Sequence, residues 1–514
     1  RNWLCRKSLC CPPAYNAFVP DMPQAHIAVF AYNVYATIMQ IQTDGVMPPI
    51  PEAIDSTYPA GHIGLAVDVG TTTVAVSAWS LGSRERLATV AAKNAQMRYG
   101  YDVIRRISFA VRPTLTGSAN VIESGPTALH YAIIAQLEKL FAQVLTLAGA
   151  KLPRGVQPTV TAIVITGNTT MLSFVCAVPV KGIAAAPFTP ASLFGFTATW
   201  NEVRYGRACV HSENLDKPTS EMLRVFGSSV INSEVSVYFP PCIGAFIGAD
   251  TVCAMLAAGV PVPGAPATVL PHESPLTAPI LLADIGTNTE IALYIPPNAD
   301  SNGKILCTAA AAGPAFEAAN ISCGMSSIEG AIERLAYEND KLRCYVIGNG
   351  NAKGICGSGL ISAVSTFYQR EYIDKNGVIH KHISQLGDGT PCIQLTPAVY
   401  ISQQDIRNLQ LAKSAVRTGL EYLLEHTHET PVFCIAGGFG SKLDLSEACK
   451  IGLLPEQLEK RTIHLGNAAL SGASALLFSN VLRAKAKDLA QKAVQVNLAA
   501  VPEFQQRFLK GIDF

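Results

Sequence analysis

Residues 62–79 read HIGLAVDVGTTTVAVSAW. The run Ile63–Val69 is apolar apart from Asp68. Gly70, Thr71, Thr72 and Thr73 follow, and then a second apolar run, Val74–Trp79. β-Branched runs on either side of a short polar turn predict two antiparallel strands. Gly70 lets the backbone turn and approach a ligand closely. The threonines supply hydroxyls and N–H groups that suit phosphate oxygens. Asp68, at the end of a buried strand, is costly unless it meets a cation or a bound water. A carboxylate beside a phosphate-binding turn suits Mg²⁺, which is held through few protein ligands and several waters. Taken alone, the stretch reads equally well as an ordinary hairpin with a surface aspartate.

The recurrence of the pattern alters that balance. Residues 281–294 read LLADIGTNTEIALY, so that Asp284 matches Asp68, Gly286 matches Gly70, Thr287 matches Thr71 and Thr289 matches Thr73. Both copies lie between apolar strands. The simplest account is a duplicated domain whose two turns face each other and hold a polyphosphate, with Asn288 beside Thr287 in the second turn. Glu290 follows that turn and is placed either to act on a water or to stand exposed on its strand.

The chain has 514 residues, 49% hydrophobic and only 15% charged, which suits two or more well-packed α/β domains and argues against disorder. A net charge of +1 implies no polyanion-binding surface. No uncharged apolar run reaches the roughly 20 residues that span a bilayer. The segment Ile27–Ile41 lacks a basic flank and reads as buried chain rather than a signal peptide. Most of the 14 cysteines stand singly in apolar segments, among them Cys176, Cys253, Cys307 and Cys434. Without disulfide-like spacing, a cytoplasmic location is expected.

Residues 1–61 read as an N-terminal extension and linker, a remnant of a truncated domain. Cys5, Cys10 and Cys11 cluster there without a C-x-x-C, too few for an iron–sulfur site, and Pro48, Pro49, Pro51 and Pro59 mark a linker. The first subdomain is expected over 62–258. Asn94 and Gln96 lie in a polar loop, and Tyr101–Ile107 starts a helix. Leu129, Ile133, Leu137, Leu140 and Val144 form one stripe of a helix over Thr127–Ala148, with Gly149 placed to end it. A strand, Val160–Ile165, runs into Gly167, Asn168, Thr169 and Thr170, a second polar rim for a cleft. Asp250 precedes an apolar helix over Thr251–Ala258, where capping is its commoner role and a cleft ligand the alternative.

A Pro- and Ala-rich boundary at 259–278 precedes the second subdomain, 279–514. Gly357 and Ser358, in Gly354–Gly359, precede a helix at Leu360–Gln369, and such a glycine-rich turn suits an anion. Cys356 lies within it, where packing is the plainer role. Asp405–His426 is amphipathic. The buried strand Val432–Ala436 leads into Gly437, Gly438, Phe439 and Gly440, where backbone can pass close to a flat nucleoside. Gly466–Ala468 and Ser471–Ala473 open a small-residue helix suited to a hinge. A charged helix is expected over Val481–Val494, followed by a short apolar stretch to Val501.

Together these features resemble the superfamily of acetate and sugar kinases, heat-shock chaperone ATPases and actin. Within it, the chain is similar to the reductive activators of corrinoid proteins. The likeness rests on VDVGTTTVAV, NAQMRYGYDVIRRI, TGNTTM, APFTP, CIGAFIGADT, DIGTNTEIAL, AAGPAFEAANISCGM, GICGSGLI, QQDIRNLQLAKSAVR, AGGFG and GNAALSGA, in that order from about residue 62. The resemblance implies an α/β fold of two RNase H-like subdomains, an actin-like ATPase fold with a central nucleotide cleft. It implies ATP-driven reduction of a partner's corrinoid from Co(II) to Co(I). Asp68 and Asp284 would position Mg²⁺ through water, the threonine turns would hold phosphates, and Gly437–Gly440 would admit adenosine. The partner would be a corrinoid protein or methyltransferase, and a homodimer is compatible with the resemblance. Such activators usually carry an iron–sulfur module, and neither end of this chain offers the cysteines for it. No iron–sulfur cluster is therefore expected in this chain. The electrons would come from an external low-potential donor such as a ferredoxin, or the module was lost in truncation, or this member performs only the ATP-driven part. Two rivals share the fold: a small-molecule kinase, with Asp250 or Glu317 as substrate-side base, and a non-catalytic ATP-gated binding protein.

Overall fold

The computed structural model describes residues 44–53, 57–112, 124–209, 229–263, 278–299, 301–381, 384–440 and 442–514. The cysteines at 5, 10 and 11, the segment Ile27–Ile41 and most of the 259–278 boundary lie outside them. The first half is built on β1 (His62–Val69), β2 (Thr73–Ser80), β3 (Arg86–Lys93), β4 (Thr159–Gly167), β5 (Phe194–Thr199) and β6 (Ser236–Pro241). They form one sheet in the order β3-β2-β1-β4-β6-β5. β1, β2 and β3 form an antiparallel meander, while β4 and β6 run parallel to β1.

The second half repeats this plan. It begins with β7 (Ile280–Ile285), β8 (Thr289–Ile295) and β9 (Lys304–Ala310). Two small three-stranded sheets follow, one made of β10 (Ala331–Glu338), β11 (Lys341–Val346) and β12 (Gly354–Ile355). The other is made of β13 (Ser384–Gln385), β14 (Pro391–Thr396) and β15 (Val399–Ser402). The main sheet is completed by β16 (Val432–Ala436), β17 (Thr462–Gly466) and β18 (Ala493–Gln495), in the order β17-β16-β7-β8-β9-β18. Again the first three strands are antiparallel neighbours and the next two run parallel to the first. The duplication read from two short turns therefore extends to five strands of each sheet; the sixth differs, β5 lying antiparallel beside β6 in the first and β18 parallel beside β9, on the opposite edge, in the second.

Side-chain alternation along the central strands explains where the aspartates point. In β1, Ile63, Leu65, Val67 and Val69 belong to the first-half core, while Ala66 belongs to a third core lying between the two sheets. In β7, Leu281, Ala283 and Ile285 face the second-half core, while Ile280 and Leu282 face that same third core. Asp68 and Asp284 fall on the phase of Ala66 and Leu282, so a period of two aims both toward the space between the sheets. Gly64 shares this phase. A Cβ there would sit 2.8 Å from the Leu81 side chain and 3.0 Å from Leu477 of the second half.

Two short helices cross in that third core, Ala249–Ala257 from the first half and Ala468–Ala475 from the second. A Cβ on Gly472 would lie 2.0 Å from the Cys253 carbonyl oxygen, so only glycine permits this approach.

Several expectations need adjusting. The helix foreseen over Thr127–Ala148 spans Gly125–Gly149; it is long and apolar enough to cross a membrane, but much of it is buried in the first-half core. The stretch marked as a proline linker is not detached at residues 44–47. Val46 N–H donates to Leu465 O, and Asn467 N–H donates to Asp44 O. The tail helix ends at Lys492, because Ala493–Gln495 adds to the sheet edge beside β9. A further helix, Phe504–Lys510, lies beyond the expected apolar stretch.

Candidate functional site

The first turn is tied from behind. Asn94 Nδ2 donates to Gly70 O at 2.8 Å, Arg106 Nη2 donates to Thr71 O at 2.6 Å, and Asn94 N–H donates to Thr72 O at 2.8 Å. With these carbonyls engaged, the remaining polar groups of the turn are its N–H groups and hydroxyls. Arg106 is fully buried and also donates through Nε to Gly100 O at 2.9 Å. None of the nine ion pairs among the described residues includes it. Burial lowers its pKa to about 10, against the opposing pull of Asp102, so it remains a cation behind the turn.

The second turn has a different arrangement. Gly313 N–H donates to Thr287 O at 2.9 Å, and Glu317 faces the turn. Glu317 Oε1 accepts from Thr287 Oγ1 at 2.8 Å and from Thr287 N–H at 3.3 Å. Its other oxygen accepts from Thr72 Oγ1 of the first turn at 2.7 Å. One carboxylate thus spans two turns 215 residues apart in sequence, showing that they face each other (Thr72 and Thr287).

Beside this bridge lie four carboxylates, Asp68, Asp250, Asp284 and Glu290. Burial pushes Asp68 up to about 7, with further contributions from Asp250 and Asp284 and an opposing one from Asn467, whose Nδ2 donates to Asp68 Oδ2 at 3.2 Å. Asp284 is raised to about 7 by burial and by Asp250, and Asp250 to about 6 by burial. Glu290, paired with Asp284 across β7 and β8, is raised by burial, Asp250 and Asp284. All four retain some exposure into the cleft despite the dense protein around them. Among the described residues no ion pair includes any of them. No three metal-ligating side chains among the described residues are grouped to hold an ion directly. Mutually repelling carboxylates at the mouth of two hydroxyl-rich turns fit a hydrated divalent cation held through water.

Asp250 departs from its expected capping role. Gly248 is the cap of the helix Ala249–Ala257, and Asp250 lies in its first turn, accepting from Thr251 N–H at 2.7 Å. The Gly248 position lies against Asn168; a Cβ there would be 2.4 Å from Asn168 Cα and 2.7 Å from Asp250 Oδ1. Asn168 caps the helix Thr169–Val175 and donates through Nδ2 to Thr71 Oγ1 at 3.1 Å. Thr169 Oγ1 instead donates to Gly244 O at 2.6 Å, which ties down the neighbouring loop. Thr73 begins β2, and its carbonyl closes the turn by accepting from Gly70 N–H at 2.9 Å.

Gly167 and Gly437 occupy equivalent places, since β4 pairs Thr166 with Asp68 and β16 pairs Ala436 with Asp284. Gly437 has φ +90°, and a Cβ there would lie 2.6 Å from Asp284 Oδ1. Gly437–Gly440 forms one helical turn directly after β16. A Cβ on Gly438 would meet no atom within 4 Å, whereas Phe439 stacks on Phe316 at 4.9 Å. The helix expected from Leu360 starts at Gly357, whose Cβ position lies 3.1 Å from the Phe439 ring. Ser358 Oγ lies 3.3 Å from Cys356 Sγ, and that buried thiol donates to Ile332 O, a packing role. A Cβ on Gly286 would make ordinary contacts, with Asn288 O at 3.5 Å and Glu317 Oε1 at 3.8 Å.

A cavity of about 950 Å³ beside Tyr368, Arg417, His428 and Phe514 contains none of these residues; volume alone does not mark the site. Sequence reasoning missed Arg106, the bridging by Glu317 and the Asn467–Asp68 contact. Asn467 carried one readable signal, its place before a small-residue helix.

Residues 63–205 match the family model of the RACo middle region, and residues 278–514 match that of the C-terminal domain of RACo, the ASKHA domain. The chain belongs to the RACo family. It is 28% identical over 474 residues to the corrinoid activation enzyme RamQ of Eubacterium limosum, spanning 88% of this chain and 70% of that protein. It is 25% identical over 446 residues to the [Co(II) methylated amine-specific corrinoid protein] reductase of Methanosarcina barkeri, spanning 80% and 69% of the two chains. A solved structure of a reductive activator for corrinoid, iron-sulfur protein superposes with a TM-score of 0.70 at 28% identity. The match covers 89% of this chain and 67% of that chain. The fold is thus the ASKHA fold, with two sheets that share a five-strand order.

Proposed function

We propose that this chain is an ATP-dependent reductive activator that drives a partner protein's corrinoid from Co(II) to Co(I). The observation that carries this reading is the convergence of Thr72 and Thr287, from two duplicated turns, on one anionic group beside Asp68, Asp250 and Asp284. Hydroxyls and N–H groups from both halves offer phosphate oxygens a seat at the junction of the two sheets. The turns at Gly70–Thr73 and Gly286–Asn288 would hold the phosphates. Asn168, on Thr71, would form the polar rim, with Gly167 and the buried Thr169 shaping it from behind, while Gly357, Ser358 and Gly437–Gly440 would border the nucleoside. Asp68 and Asp284 would hold the waters of Mg²⁺, with Glu290 available to orient the attacking water. Bound Mg²⁺ would offset the phosphate charge.

Hydrolysis converts ATP and water to ADP and phosphate. The single electron for cobalt comes from an external low-potential donor such as a reduced ferredoxin. A gap of about 200 mV costs about 5 kcal/mol per electron. Moving a two-state equilibrium from 1:99 to 99:1 takes about 5.5 kcal/mol. Cleft closure is therefore of the right size to force the partner into a more reducible state. No disulfide joins the eleven described cysteines, and a cytoplasmic setting is part of this proposal.

The test is partner-stimulated ATP turnover together with the visible spectrum of the corrinoid under a low-potential reductant. Asp68→Asn and Asp284→Asn are each expected to lose both activities by about 100-fold or more. Full activity in both variants would exclude this cleft.

A further inference from the structure

In the scheme above Glu317 only marks where the two turns meet; no step is given to it. Its two oxygens meet three donors: the Thr72 hydroxyl, the Thr287 hydroxyl and the Thr287 N–H. A terminal phosphoryl group would need the same donors, since it also presents several anionic oxygens to hydroxyls and backbone amides. Carboxylate and phosphoryl group cannot occupy them together. Position 317 ends a short helical turn, Pro314–Glu317, anchored by Phe316 in the second-half core, so the carboxylate is delivered by a fixed segment. Gly286, which has no side chain of its own, lies beside the carboxylate, its Cβ position 3.8 Å from Glu317 Oε1.

From this geometry we infer that Glu317 is a specificity-determining residue, an internal anion that a nucleotide must displace by presenting a phosphoryl group to both turns at once. The inference rests on the nucleotide reading above. A triphosphate long enough to reach Thr72 and Thr287 displaces Glu317. A diphosphate that reaches one turn leaves the carboxylate on the other. Glu317 thereby weakens ATP binding while holding the ligand-free turns in register. Once ATP is cleaved, its return to the two threonines competes with the separated phosphate.

The experiment uses the whole chain and two variants. Glu317→Gln keeps the shape and removes the charge, and is expected to bind ATP about tenfold more tightly while ADP affinity stays within about twofold. Unchanged or weaker ATP binding overturns the inference, as does an equal gain for ADP. In Glu317→Ala without nucleotide, hydrogen exchange at the Thr287 amide is expected to rise by about tenfold, because its acceptor is gone. Unchanged exchange there also overturns it. If the unaltered chain binds neither nucleotide, the nucleotide reading fails as well. If it binds ATP and Glu317→Gln gains nothing, this inference alone fails.

Discussion

The two duplicated turns share a chain path but differ in charge. Behind the first lies a buried cation, Arg106, and Asn94 holds the carbonyls on either side of Thr71. The second has one backbone bond at Thr287 O, and an anion, Glu317, in front of it. The adjoining loops differ as well. After β4 the chain places Asn168, which holds Thr71, whereas after β16 it places glycines beside Asp284. One turn is a fixed seat with its charge built in, and the other is an occupied seat that must be vacated. A duplicated scaffold has thus come to divide its work: the first half positions, the second half responds.

The most severe way to break this comparison is to separate the turns. Gly472→Leu drives a side chain into the Cys253 carbonyl where the two small helices cross. It is expected to cost more than about 3 kcal/mol in urea unfolding. A neutral result would mean that the halves are not registered by this crossing.

Arg106→Met removes the donor to Thr71 O and Gly100 O. A loss of about 2–4 kcal/mol is expected, since buried carbonyls are left unpaired while the burial cost of the charge is relieved. Hydrogen exchange should quicken across Gly70–Thr73 and stay unchanged across Gly286–Thr289. Equal loosening of both turns would contradict the division of labour. Asn94→Ala removes the donor to Gly70 O and should cost about 1–2 kcal/mol, again confined to the first turn.

The duplication was legible because Asp-x-Gly-Thr falls between two strands whose alternation forces the aspartate onto one face. That face, Gly64, Ala66 and Asp68, is also the small-residue face on which the other half packs. Arg106 was not legible, since an arginine in a short helix reads as solvent-facing until the burial around Met171 and Gln96 is seen. Glu317 lies 30 residues beyond Thr287, and only the folded helical turn that it ends reveals where its carboxylate goes. The small sheets β10–β15 escaped notice because their strands are short and mixed in polarity. β3 and β9 escaped although Gly82–Ser83 and Asn302–Gly303 stand before them as turn signals. Asp250 followed a local preference for capping that tertiary placement overrode.

The smallest expected effect concerns pH. Asp68 and Asp284 titrate near 7 and Asp250 near 6 in the folded chain, against 3.8 for an ordinary aspartate. The folded state therefore retains protons that the unfolded state has released. The ligand-free chain should lose stability as pH rises from about 4 through 7, by on the order of 1 kcal/mol, because the side chains keep some access to solvent. Asp250→Asn should flatten that slope, as should Mg²⁺ with ATP, which favours the ionised carboxylates. A slope of the opposite sign in urea titrations would remove the carboxylate cluster from the account.

Everything depends on the two turns serving one ligand. Calorimetric titration of the full chain with Mg²⁺ and ATP should give one nucleotide per chain, and Asp68→Asn or Asp284→Asn alone should each abolish that binding. Two independent nucleotides, each lost only with the aspartate of its own half, would contradict the shared site outright.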